Sequence, residues 1–328
     1  VLDLGLETKD VTFLILSDGR ITVSGSTGHD GTYAGITTIL AGTGNDTLIG
    51  PDLDTLWQLT GENQGEVRGV FFKGIENLTG GSAADTFAFA DGAKVSGTMD
   101  GGAGVNALDY SAYTTPVRVD LELATATGTN GISAIRDLTG GLGNDFLWGD
   151  SGANVLSGGG GKDSLWGRLG DDILFLSDLG QFDGGDGDDT LVGPNASLTW
   201  LITGPGEGLA GVGQAYFRGF ENLAGGDQAD TFVFLDDDAW IAGTVDGGQG
   251  WDTSDFSPRQ AAVVAYVLGA GSAAPTGFRR FESLIGSNGH DTLVGPETDS
   301  TWSIHGTNAG MVGSVSLAGF EDLQGGPG

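Results

Sequence analysis

The sequence predicts an all-β chain of stacked coils, solenoidal along its whole length, on three observations. Residues 140–192 consist of short tandem blocks, each with a glycine-rich turn, an Asp or Asn and one apolar residue to point inward. A longer unit of about 100 residues recurs around them. No capped amphipathic run of helical length occurs in the 328 residues.

The array reads GGLGNDFLW, GDSGANVLS, GGGGKDSLW and GRLGDDILF without a gap, then LSDLGQFD, then GGDGDDTLV. Asp145, Asn154, Asp163 and Asp172 hold the sixth place of the first four blocks, and Leu147, Leu156, Leu165 and Leu174 the eighth. Gly, Asn and Asp take the positive φ angles of tight turns that β-branched residues avoid. The last three residues make a short strand whose middle side chain points inward and whose flanks point outward. Two turns and two strands close a coil of 18 residues, so alternate blocks stack. The eight residues Leu176–Asp183 are read as a shortened block, which pairs Asp172 with Asp189.

These blocks match G-G-x-G-x-D-x-U-x and resemble the calcium-binding nonapeptide of RTX proteins. The resemblance implies a right-handed parallel β-roll with Ca2+ held between stacked turns by backbone carbonyls and the sixth-place Asp of both. Carried onto this chain, Asp145 and Asp163 share one ion, with the turns of Gly141, Gly143, Gly159 and Gly161, and Asp172 and Asp189 share another. The pair Asn154 and Asp172 has one carboxylate fewer and is expected to bind more weakly. Hard oxygen donors, without Cys or a nearby His, suit calcium better than zinc or copper.

Outside the array the opening residues alternate apolar and polar (Val11, Phe13, Ile15; Ile21, Val23) and read as strands joined by a turn at Ser17–Arg20. Ile49-Gly50-Pro51, Val192-Gly193-Pro194 and Val294-Gly295-Pro296 each lead, six residues past the proline, to Trp57, Trp200 and Trp302. Ile75-Glu76-Asn77-Leu78, Phe220-Glu221-Asn222-Leu223 and Phe320-Glu321-Asp322-Leu323 follow. GGSAADTFAF from Gly80 matches GGDQADTFVF from Gly225, GTMDGGAG from Gly97 matches GTVDGGQG from Gly243, and IRDLTGGLGND from Ile135 matches FESLIGSNGHD from Phe281. The expected organisation is one continuous solenoid. Residues 1–50 end a unit, 51–139 form one, 140–193 are the array, 194–295 form a second, and 296–328 begin a third. Glycine turns lie 21–22 or 38–39 residues apart. Read as one and two coils, that spacing gives about 20 residues per coil and about 16 coils. Isolated turns put Asp46, Asp85, Asp230, Asp252 and Asp291 at the sixth place, where each could bind calcium or merely cap a β-turn.

Lys and Arg total 13 against 44 Asp and Glu, a formal charge of −31. Such a field repels nucleic acid and anionic membrane surfaces and attracts divalent cations. The chain has no Cys, and its longest apolar run, Ala261 to Leu268, is too short to span a membrane. Neither nucleic-acid binding nor membrane insertion is expected. Gly149-Asp150-Ser151-Gly152 resembles a serine-protease nucleophile motif, but the nonapeptide register explains both glycines. His29, His290 and His305 lack metal spacing, and Asp236-Asp237-Asp238 reads as a solvated loop.

Trp148 and Trp166 hold the ninth, outward place of their blocks, 18 residues apart, with Phe146 beside them. Stacked aromatics there suggest a platform for a surface polysaccharide, a contact for another chain, or an aromatic ladder without a partner. The leading expectation is a non-enzymatic, calcium-binding structural segment of a large secreted bacterial repeat protein, an adhesin or fibre at the cell surface. The alternatives are an RTX module serving the secretion and folding of an enzyme, or a β-helical polysaccharide-modifying enzyme using Arg118, Arg136, Arg279 or Arg280. The last residues, Gly325-Gly326-Pro327-Gly328, open a further turn, and Val1-Leu2-Asp3 aligns with a strand that follows one. That match suggests either a segment of a longer chain or copies stacked head to tail.

Overall fold

The computed structural model describes residues 1–177, 179–211, 215–267, 277–296 and 299–326. Among them the regular structure is entirely β, in short and mostly parallel strands, as the repeats predict. The chain divides into two units, Val1–Leu165 and Trp166–Gly328.

In the first unit the predicted opening hairpin forms. Thr12–Ile15 pairs antiparallel with Ile21–Ser24, Gly19 turns the chain at φ 82°, and Phe13, Ile15, Ile21 and Val23 are buried. Parallel ladders then run Thr47–Ile49 to Asn77–Thr79 to Met99–Asp100, and Thr55–Gly61 to Asp85–Phe89 to Ala107–Asp109 to Asp137–Thr139 to Val155–Ser157. The three-residue strands of these ladders place their middle residue in the core. Leu48, Leu108, Leu147 and Leu156 are all fully buried, which is the predicted inward position. The second unit repeats the design. Thr199–Gly204 pairs with Thr231–Phe234, then Thr253–Asp255 and Ser283–Ile285, while Thr190–Val192 pairs with Asn222–Ala224 and Thr244–Asp246. Ile173–Phe175 pairs with Thr190–Val192 at a step of 17 residues, so Leu176–Asp183 does act as a shortened block; its Asp178 lies outside the described residues.

The uniform spacing of about 20 residues needs correction. Steps of 21–22 residues do occur, as in Phe87 to Leu108 and Phe232 to Ser254. Many others are 28–35, as in Leu48 to Leu78 and Phe182 to Phe217. The longer levels carry an antiparallel excursion: Thr55–Gly61, Gln64–Val67 and Val70–Lys73 form a meander, as do Thr199–Gly204, Glu207–Ala210 and Ala215–Arg218. A third, Trp302–Gly306, Ala309–Val312 and Val315–Ala318, has the same register shift two residues before its first turn. The count of about 16 equal coils therefore does not hold.

The meanders explain the tryptophan motif. Trp57 stacks on Phe87 at 5.3 Å with Phe72 edge-on, and Trp200 stacks on Phe232 at 5.3 Å with Phe217 edge-on. Both indoles are fully buried. A Cβ on Gly50 would lie 2.7 Å from the Trp57 ring, and one on Gly193 2.9 Å from that of Trp200. Glycine stands before the proline because the ring lies against its backbone.

Candidate metal centre

The buried polar residues are, almost without exception, the ones the turn register singled out. Asp46, Asp85, Asp145, Asp163, Asp172, Asp189, Asp230, Asp252 and Asp291 are at most 1% exposed, as are Asn106 and Asn154 at the same place. A carboxylate removed from water needs donors or a cation. Much of the need is met by backbone. Asp145 accepts from Val117 N (2.8 Å) and from Gly141 N of its own turn (2.6 Å). Asp230 accepts from Leu198 N and Gly226 N, Asp46 from Val11 N and Gly42 N, and Asp291 from Val263 N and Ser287 N. Asp85 accepts from Gly81 N and from Trp57 Nε1 (3.1 Å). All five carboxylates thus accept N–H groups at their turns.

The same residues also donate. Asp145 N–H reaches Asp163 Oδ1 at 2.9 Å, Asp172 N–H reaches Asp189 Oδ1 at 2.8 Å, and Asp230 N–H reaches Asp252 Oδ1 at 2.7 Å. Both proposed calcium pairs are thus brought together. Four glutamates continue the ladders: Asp46, Asp189, Asp252 and Asp291 donate to Glu76, Glu221, Glu282 and Glu321 at 2.7–2.9 Å. Turn-based reading missed them, although each precedes a Leu by two residues just as Asp145 precedes Leu147. At the turns named from sequence, Gly159 (φ 80°) and Gly161 (φ 114°) lie so close beneath their neighbours that a Cβ would come 2.3 Å from Gly141 O and 2.1 Å from Gly143 O.

Oδ2 of Asp189 and Oδ2 of Asp252 are buried and accept no hydrogen bond. A Cβ on Gly184 would lie 2.0 Å from Gly219 O and 2.7 Å from Asp189 Oδ2. The Gly219 carbonyl and the Asp189 carboxylate thus crowd the same side of Gly184, oxygen donors of the kind a hard divalent cation takes. Burial, with Asp172 and Glu221 nearby, pushes the Asp189 carboxyl up to about 7, and burial pushes Asp252 up to about 6. Their unfolded value is about 3.9, so without metal the folded chain keeps protons that the unfolded chain releases. Metal-free stability therefore falls as pH rises from about 4 through about 7. In chelator, Tm should rise as pH is lowered from 8 to 5, and Asp189→Asn should flatten that slope. A slope unchanged in the variant would refute the assignment.

The remaining candidates are held in place. Ser151 sits exposed in a turn closed by Gly152 N to Asp150 Oδ1 and Asp150 N to Asn154 Oδ1. Arg136 is bidentate on Asp137 and Arg280 on Asp246, while Asp237 accepts from Gln260 N and Ala261 N. The Arg118 guanidinium lies 5.0 Å over the Phe146 ring and 4.7 Å over that of Trp148, so this part of the aromatic platform is already covered.

Residues 32–50, 139–174 and 181–193 match the family model of the RTX calcium-binding nonapeptide repeat, in four copies. No curated protein matches the chain. The matched repeat is a non-catalytic structural module, and Ca2+ is the ion it binds. Among the described residues no three His, Asp or Glu side chains gather as a metal cluster, so most donors to an ion here would be backbone carbonyls. No helix among them is long and apolar enough to cross a membrane.

Proposed function

We propose that the chain is a calcium-stiffened structural segment of a secreted bacterial repeat protein, a surface adhesin or fibre, wound as a right-handed parallel β-solenoid. The observation that carries this reading is the burial of one acid or amide per glycine turn within each unit, with the array closest to the nonapeptide consensus. Asp145 with Asp163, and Asp172 with Asp189, hold the array's ions together with the carbonyls of their turns, those of Gly141, Gly143, Gly159 and Gly161 among them. Bound Ca2+ supplies the positive charge that facing carboxylates and carbonyls lack. So few carboxylates per ion fit the weak affinities, about 10⁻⁴–10⁻³ M, of extracellular modules. Head-to-tail stacking of copies belongs to the same reading. A polysaccharide at Trp148 would have to displace Arg118.

The test compares Asp163→Ala with Asp150→Ala. The first removes a buried ladder acid. The second removes a side chain whose oxygen accepts only Gly152 N. Asp163→Ala should weaken calcium binding at least tenfold, and Asp150→Ala should leave the titration as it is. Equal titrations would overturn the register.

A further inference from the structure

The three meanders differ in what lies on their first strand. Asp85–Phe89 covers Thr55–Gly61 in parallel, with Phe87 opposite Trp57 and Phe89 opposite Leu59. Thr231–Phe234 covers Thr199–Gly204, with Phe232 opposite Trp200 and Phe234 opposite Ile202. Trp302–Gly306 has no such neighbour among the described residues and ends its sheet. Leu59 and Ile202 are at most 1% exposed, whereas Ile304, at the same place, is 59% exposed. Leu323, the counterpart of the buried Leu78 and Leu223, is 41% exposed. Leu317 and Phe320 join these two in lining an apolar groove. The Trp302 ring nevertheless lies against Gly295, where a Cβ would come 2.5 Å from it, as Trp57 lies against Gly50 and Trp200 against Gly193. The third edge has the build of the other two and lacks their cover.

A polar group at the tip of the meander narrows what could cover it. In the first repeat Asn63 (φ 51°) donates from Nδ2 to Glu76 Oε1 at 2.8 Å. Its N–H donates to Lys94 O (2.9 Å), and its Oδ1 accepts from Ser96 N (2.8 Å). Lys94 and Ser96 follow directly on the covering strand. Asn308 (φ 54°) makes the same link to Glu321 Oε1. Among the described residues, no acceptor meets its N–H and no donor its Oδ1. In the second repeat Gly206 stands at this place and Ala242 at that of Ser96, so that repeat has only the backbone bond, from Gly206 N to Trp240 O. The third edge thus follows the first repeat, not the second.

We propose that the edge of Trp302–Gly306 is a docking surface for a parallel peptide strand of the form Asp-Thr-Phe-x-Phe, with a Ser seven places after the second Phe. The first Phe stacks on Trp302, the second covers Ile304, and the Ser backbone closes on Asn308. Main-chain bonds along the open edge supply affinity, and the pockets for alternate side chains supply specificity. Another copy stacked head to tail would offer Leu2–Asp3, two residues against the five of Trp302–Gly306, and would leave Ile304 bare. The proposal does not depend on which ion the glycine turns hold.

The test is hydrogen exchange, read by mass spectrometry, of the full chain in CaCl2 with three synthetic peptides. These are residues 80–102, residues 225–248, and residues 80–102 carrying Phe87→Ser and Phe89→Ser. The first should slow amide exchange in Trp302–Gly306 at least tenfold and leave Thr55–Gly61 and Thr199–Gly204 unchanged. The second should bind several-fold more weakly, and the third should protect nothing. In the chain, Ile304→Asp, at an exposed position, should abolish the protection without lowering Tm. Asn308→Gly should make the first two peptides equal. No protection by the first peptide at millimolar concentration, or equal protection by the serine peptide, overturns the proposal. Protection that grows with chain concentration in the absence of peptide overturns it in favour of a second copy. Equal binding of the first two peptides to the wild-type chain overturns the role of Asn308.

Discussion

In about 10 mM Ca2+, about 100 times the tighter of the affinities proposed above, the chain should unfold cooperatively at a temperature about 10–20 °C above its transition in EDTA. An ion held at 100 times its Kd adds about 2.7 kcal/mol to the folded state. Two such ions add about 5 kcal/mol, and in a chain of this size each kcal/mol moves Tm by about 2–4 °C. The formal charge of −31 acts in the same direction, because self-repulsion opposes compaction until cations reduce it. Scanning calorimetry at pH 8 with and without chelator measures the difference. Coincident transitions would remove calcium from the account of stability.

Truncating either buried indole should be the costliest single change in its unit. Trp57→Ala or Trp200→Ala should each lose about 3–5 kcal/mol, from the emptied volume and the lost ring stack. The conservative change separates the two sites. Trp57→Phe also removes the indole donor to Asp85 Oδ1, the only one among the described residues, at a further cost of about 1–3 kcal/mol for an unserved buried oxygen. Trp200 Nε1 is buried without an acceptor, so Trp200→Phe should cost less, or even stabilise. Urea denaturation of the four variants tests both parts. Equal losses for the two Phe variants would contradict the hydrogen-bond assignment.

The array was legible because its residues are chosen by backbone geometry. Positive φ and close approach select Gly, and the buried acid selects Asp, so spacing alone reports the stacked turns. The glutamate rungs were harder to see. Glu76, Glu221, Glu282 and Glu321 lie outside any glycine turn, and their longer side chains reach the same N–H groups from a different approach. Their one signal was the Leu two residues on, which sets them in register with Asp46, Asp189, Asp252 and Asp291. The meanders were not legible from turn spacing, since an excursion of two extra strands adds residues between glycines without changing them. Gly50 and Gly193 recurred visibly in sequence, yet only the ring lying on them explains why.

The ladder has a direction. From Val11 to Asp46 to Glu76, and from Leu198 to Asp230 to Asp252 to Glu282, every donor precedes its acceptor in the chain. A chain synthesised amino end first therefore always has one turn awaiting its acceptor, which arrives 17–35 residues later. Maturation of the stacked β-ladders must trail their synthesis by one level, and the last-made acid of each ladder decides when the ones before it can close.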